Sequence, residues 1–99
     1  MKAIWNNQTI AEADKDQLIY IEGNWYFPPT AVRRDFFAPS DHRTTCHWKG
    51  EASYYDIVVD GQTNQNAAWY YPHPINGSIE QVRKDFTDYV AFWHGVTVE

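Results

Sequence analysis

Within Thr44-Thr45-Cys46-His47-Trp48-Lys49-Gly50-Glu51, a thiol, an imidazole, an indole, an ammonium and a carboxylate stand within one short stretch. A cysteine nucleophile needs a lowered pKa, and Arg43, His47 or Lys49 could supply the positive potential. His47 is poorly placed as the base, because neighbours on a strand point to opposite faces. His42, His73 and His94 are the other imidazoles available. Cys46 is therefore the catalytic candidate. The competing reading is that a lone cysteine fills a small buried space.

A second stretch, Ala67-Ala68-Trp69-Tyr70-Tyr71-Pro72-His73-Pro74, places Trp69 and Tyr71 on one strand face. Such rings can stack on a planar or sugar-like ligand, or simply pack in the core. Eight Lys and Arg against thirteen Asp and Glu give a net charge of −5. The balance is uneven, however. Arg33, Arg34, Arg43 and Lys49 face only Asp35 and Asp41, so that segment is +2 while the rest is −7. A basic segment in an acidic chain suits a small anion and disfavours nucleic acid or an anionic membrane. The four histidines are scattered, no second cysteine exists, and no glycine-rich phosphate loop appears, so no metal site or nucleotide cradle is expected.

The elements that would position these residues are short and mostly extended. Asn6-Asn7 turns a first hairpin, and Gly23-Asn24 turns a second between Leu18–Ile21 and Trp25–Phe27. Thr30 to Phe37 predicts a short helix capped by Thr30. Thr44–Trp48 and Ala52–Val59 follow as strands, with Ser53, Tyr55, Ile57 and Val59 inward and Tyr54 left to a groove or solvent. Asp60-Gly61 turns into Ala67–Tyr71. Ser78 and Gln81 form a capping box for a helix to about Phe86. Tyr89–Trp93 and Val96–Val98 would close as a hairpin about His94-Gly95. Seven or more short strands and one or two short helices make a mainly β domain, a curled antiparallel sheet or small barrel. Ninety-nine residues leave room for one domain, residues 1–99, and five Trp, seven Tyr and five Phe to fill it. With no long apolar run, no export signal and one cysteine, a cytoplasmic location is expected.

The sequence resembles the DUF427 family of small domains of unknown function. The residues that carry the likeness are Trp25-Tyr26-Phe27-Pro28, Val32-Arg33, Ser40-Asp41-His42, Thr44 with Cys46, Lys49-Gly50, Ala52-Ser53-Tyr54-Tyr55, Ala68-Trp69 with Tyr71-Pro72 and Pro74, and Tyr89-Val90-Ala91-Phe92. His47 stands where that pattern usually has proline. The resemblance implies a compact, mostly β fold in which Arg33, Cys46, Lys49, Trp69 and Tyr71 act together. It also carries a nucleotidyltransferase-like label, yet the carboxylates and phosphate loop of that chemistry are not visible here. The leading expectation is a small-ligand binding domain. Trp69 and Tyr71 floor its pocket, Arg33 or Lys49 holds an anionic group, and Tyr26, Cys46 and Tyr54 line it. The alternatives are an enzyme, Cys46-dependent or nucleotidyltransferase-like, and an interaction module, monomer or homodimer, anchored by Trp5 or Trp93.

Overall fold

Asn6 and Asn7 both adopt left-handed backbone, at φ 50° and 64°, as a two-residue hairpin turn requires. They join β1 (Lys2–Trp5) to β2 (Gln8–Glu12) in a computed structural model that describes residues 1–99. The second hairpin, β3 (Ile19–Ile21) and β4 (Asn24–Tyr26), turns at Glu22-Gly23, φ 51° and 87°. That is one residue earlier than the sequence suggested, because Asn24 is already paired with Ile21.

The helix expected over residues 30 to 37 does not form. Two 3-10 turns, Pro29–Ala31 and Arg34–Phe36, replace it. Val32 between them is extended, forming a bridge to Ala11, and the Arg33 N–H donates to the Ile10 carbonyl at 2.9 Å. Long-range pairing has overridden local propensity.

Three long strands follow: β5 (Phe37–Cys46), β6 (Gly50–Val59) and β7 (Gln62–Tyr70). β5 begins seven residues before the expected Thr44, and an edge position lets it carry Pro39 without losing a ladder bond. Asp60-Gly61 turns β6 into β7 with φ 51° and 75°. The helix α1 (Ser78–Val82) stops early, where Arg83 takes φ 71°. Ser78 makes no capping box; its hydroxyl donates back to the Ile75 carbonyl at 2.6 Å.

The chain ends with β8 (Val90–Phe92) and β9 (Thr97–Val98). The left-handed His94-Gly95 turn is present, but the two strands part company instead of pairing. β8 joins the sheet β5-β6-β7-β8 and β9 joins β2-β1-β9, with β3-β4 as the third sheet. All pairings are antiparallel. The protein is mainly β, as its sequence implied. No helix is long and apolar enough to cross a membrane.

The middle of the four-stranded sheet is covered on both faces, while the edge strand β5 buries no residue. Ile57, Val59, Ala68, Val90 and Phe92 join Ile10, Leu18 and Phe27 in one core. Ala52, Tyr54, Trp69 and Ala91 join Ile19, Ile21, Tyr26, Tyr71 and Phe86 in the other. Strand alternation sends successive side chains to the two cores in turn: Tyr26 to one and Phe27 to the other. Tyr54 is thereby buried at 6% exposure, which corrects its expected exposure to a groove or solvent.

Candidate functional site

Cys46 pairs with Gly50 across the tip of the β5–β6 hairpin, so His47, Trp48 and Lys49 form the loop. Gly50 sits at φ 120°, and a Cβ there would lie 3.1 Å from the His73 carbonyl oxygen. Only glycine lets the hairpin press so closely on the segment after β7. The Lys49 carbonyl accepts from the Ile75 N–H at 3.0 Å, and the loop drives the Lys49 side chain inward, leaving it 6% exposed.

The Lys49 ammonium donates to Glu22 Oε1 at 2.6 Å. It lies 5.2 Å from the Tyr71 ring centroid, 5.3 Å from Trp48 and 6.0 Å from Tyr26, within cation–π range. Burial works against the charge, but the hydrogen bond to Glu22 and the surrounding negative potential outweigh it, raising the Lys49 pKa. At neutral pH the phenols are uncharged, so Glu22 supplies that potential. Glu22 is held below the usual carboxylate range by the same bond. Burial lifts the Tyr26 phenol. Burial and the neighbouring Tyr26 push Tyr71 up to about 12, against the pull of Lys49.

Tyr26, Cys46, Lys49, Trp69 and Tyr71 all belong to or pack on the second core. The Trp69 indole N–H donates to the Tyr26 hydroxyl at 3.1 Å. Tyr54 faces Trp69 across the β6–β7 ladder, and its phenol shares a 2.8 Å hydrogen bond with Thr44 Oγ1. Arg33 does not join them. It belongs to the β2 side of the molecule, its guanidinium 3.7 Å from Glu12 with both side chains about half exposed, an arrangement that contributes little to stability. Two of the three histidines considered as partners of Cys46 are engaged elsewhere: His42 packs on Tyr54 and His94 stacks on Trp93. No group of three or more His, Cys, Asp or Glu is placed to hold a metal ion.

None of the seven residues singled out in the sequence lines any of the four surface cavities. The cage around Lys49 is filled by its own rings. An aromatic cleft with an arginine at its wall does exist on the opposite face of the sheet, with a volume of about 340 Å³. Tyr55 on β6 and Tyr70 on β7 stack there, centroids 4.7 Å apart and planes at 21°. Pro29 and Pro72 flank it, Val32 and Val90 give it an apolar floor, and Arg34 and Asp88 bring one charge of each sign. Burial and the adjacent Tyr70 raise the Tyr55 pKa, while the Arg34 guanidinium opposes them; Tyr55 therefore remains a hydrogen-bond donor.

Each of these residues neighbours one the sequence singled out: Arg34 beside Arg33, Tyr55 beside Tyr54, Tyr70 between Trp69 and Tyr71. The signal that could have found them is the aromatic doublet. Tyr54-Tyr55 and Tyr70-Tyr71 place rings at both parities, which marks a sheet covered on both faces.

A family profile described as a domain of unknown function (DUF427) matches residues 1–99. No curated protein matches the chain.

Proposed function

The chain belongs to the DUF427 family, and on that premise we propose that it binds a small, flat, anionic ligand in the cleft of Arg34, Tyr55 and Tyr70. The observation that carries this reading is a cleft walled by two stacked phenols beside a guanidinium that forms no salt bridge. Its volume of about 340 Å³ lies in the range of small-molecule pockets. The rings offer stacking area, Arg34 offers donors in a planar fork, and Tyr55 offers its hydroxyl. Asp88 opposes a second negative charge and favours a ligand with a donor group away from its anion.

Calorimetric titration with benzoate, salicylate and a nucleoside monophosphate, each beside an uncharged analogue, tests the reading. The anionic form should bind saturably, and Arg34→Ala should weaken it by about ten- to a hundredfold, the usual range for a hydrogen bond to a charged group. Asp88→Asn should tighten simple carboxylates. Lys49→Met, altering the other face, should leave affinity unchanged. Equal binding of the uncharged analogues, or full affinity in Arg34→Ala, overturns the proposal. Loss of binding in a folded Lys49→Met protein would move the site to the lysine cage.

A further inference from the structure

Arg34 and Asp88 reach the cleft beside Tyr55 and Tyr70 from different parts of the chain, and the backbone fixes where each begins. The Arg33 N–H donates to the Ile10 carbonyl at 2.9 Å and the Phe36 N–H to the Arg33 carbonyl at 3.1 Å. The 3-10 turn Arg34–Phe36 is thereby tied to β2. Asp88 takes left-handed backbone at φ 63°. Its N–H donates to the Tyr71 carbonyl at 3.1 Å, and two residues later Val90 exchanges both backbone bonds with Phe27 at 2.8 Å. Both charges therefore spring from anchored points on two segments that border one cavity.

Opposite charges that line one cavity have every electrostatic reason to meet, yet these two stay apart. The salt bridges of the protein are Arg33 with Glu12 and Lys49 with Glu22. Neither Arg34 nor Asp88 takes part in one. The Arg34 guanidinium lies close enough to Tyr55 to pull on its phenol, so a cation and a hydroxyl stand together as donors. Asp88 brings an acceptor with no cation bound to it. The floor they share, Val32 and Val90, is buried and apolar.

A ligand with one charge can answer only half of this arrangement. A plain carboxylate gains Arg34 and meets repulsion from Asp88, and a plain amine gains Asp88 and meets repulsion from Arg34. One molecule with both charges turns the repulsive element into an attractive one. Because both side chains start from anchored backbone, little ordering of the chain is needed when such a ligand binds.

We infer that the cleft takes a zwitterion, with a carboxylate on Arg34, an ammonium group on Asp88 and a flat apolar body over Val32 and Val90. An aromatic amino acid or an aromatic acid with an aminomethyl group has this chemistry. The inference rests on the reading of the cleft as an anion site, and it adds the second charge of the ligand.

Calorimetric titration with two matched pairs provides the test. Phenylalanine is set against phenylpropionate, and para-(aminomethyl)benzoate against para-methylbenzoate; the two zwitterions differ in how far apart their charges lie. Benzylamine serves as the lone cation. At least one zwitterion should bind about threefold or more tightly than its ammonium-free counterpart, the worth of one partly exposed ion pair. Asp88→Asn should then move the pair in opposite directions, weakening the zwitterion and tightening the plain carboxylate. Arg34→Ala should weaken both. The two side chains are exposed, and Asn accepts left-handed backbone as Asp does, so both variants should keep the wild-type circular dichroism spectrum. Carboxylates that bind no more weakly than their zwitterions, a shift of both in the same direction in Asp88→Asn, or benzylamine binding as tightly as the zwitterion would each overturn the inference. The first two results leave the anion cleft standing. Full affinity for every probe in Arg34→Ala, or no saturable binding of any carboxylate or zwitterion, would remove the cleft reading as well.

Discussion

At the scale of single residues the pair Glu22 and Lys49 is asymmetric. The Lys49 side chain is 7% exposed while that of Glu22 is 56% exposed. Removing the carboxylate leaves an ammonium buried among Tyr26, Trp48 and Tyr71 without its counter-charge. Removing the ammonium leaves a carboxylate that water can reach. Glu22→Ala should therefore cost about 2 kcal/mol, a buried-pair loss reduced by the solvent around Glu22. Lys49→Met should stay within about 1 kcal/mol of the wild type, because an apolar isostere avoids the desolvation cost. Urea denaturation checks both, and equal losses would mean the cage itself holds the ammonium strongly. The pH dependence follows in sign. Glu22 is lowered from 4.5, so its contribution is complete above that pH and fades as pH falls through the lowered value. Lys49 is raised from 10.5, so its contribution is complete below that pH and fades as pH rises past the raised value. The Glu22→Ala protein should lose the acid limb attributable to this pair.

At the scale of elements the hairpin tips decide what each strand can present. Gly50 and Gly61 both take positive φ, at 120° and 75°, but a Cβ on Gly61 meets nothing within 4 Å. Gly61→Ala should cost about 1 kcal/mol, the ordinary price of left-handed backbone. Gly50→Ala should cost about 3 kcal/mol, since its φ lies outside the αL basin and the His73 carbonyl must move as well. Thermal melts would rank the two, and a reversed order would mean the β5–β6 tip is not held against residues 73–75. These tips also show what the sequence made legible. Asn6-Asn7, Asp60-Gly61 and His94-Gly95 carry their turn chemistry within two residues, and all three adopt it. Parity was harder to read. An alternating strand reveals its inward face only when the other face is wet, and β6 and β7 pack rings against both cores. Trp69 and Tyr71 were readable as sharing a face, but not that this face would be filled while Tyr55 and Tyr70 bordered the open cleft. The β5 bulge left no local mark, because it arises from the registers of Pro39 and Arg43 on β6.

At the scale of the whole molecule, two cores share one sheet, and this governs how the protein should lose its structure. Phe27 and Phe86 are both fully buried, one in each core. Phe27 is tied to the central sheet by reciprocal backbone bonds with Val90, both at 2.8 Å, while its neighbour Tyr26 enters the other core. Strand β8 likewise gives Val90 and Phe92 to one core and Ala91 to the other. Neither core can come apart without pulling strands out of its counterpart, so unfolding should be a single cooperative transition. Phe27→Ala and Phe86→Ala should each cost about 3–5 kcal/mol and shift that one transition without splitting it. Tryptophan fluorescence and far-ultraviolet circular dichroism should report coincident midpoints in both proteins. A ligand seated in the Arg34 cleft, on the first face, should raise the same midpoint, because binding to the native state is linked to all of it. Separate midpoints for the two probes in Phe86→Ala would show the second core melting alone. The Lys49 cage would then be a detachable layer, and the sheet with its cleft would stand without it.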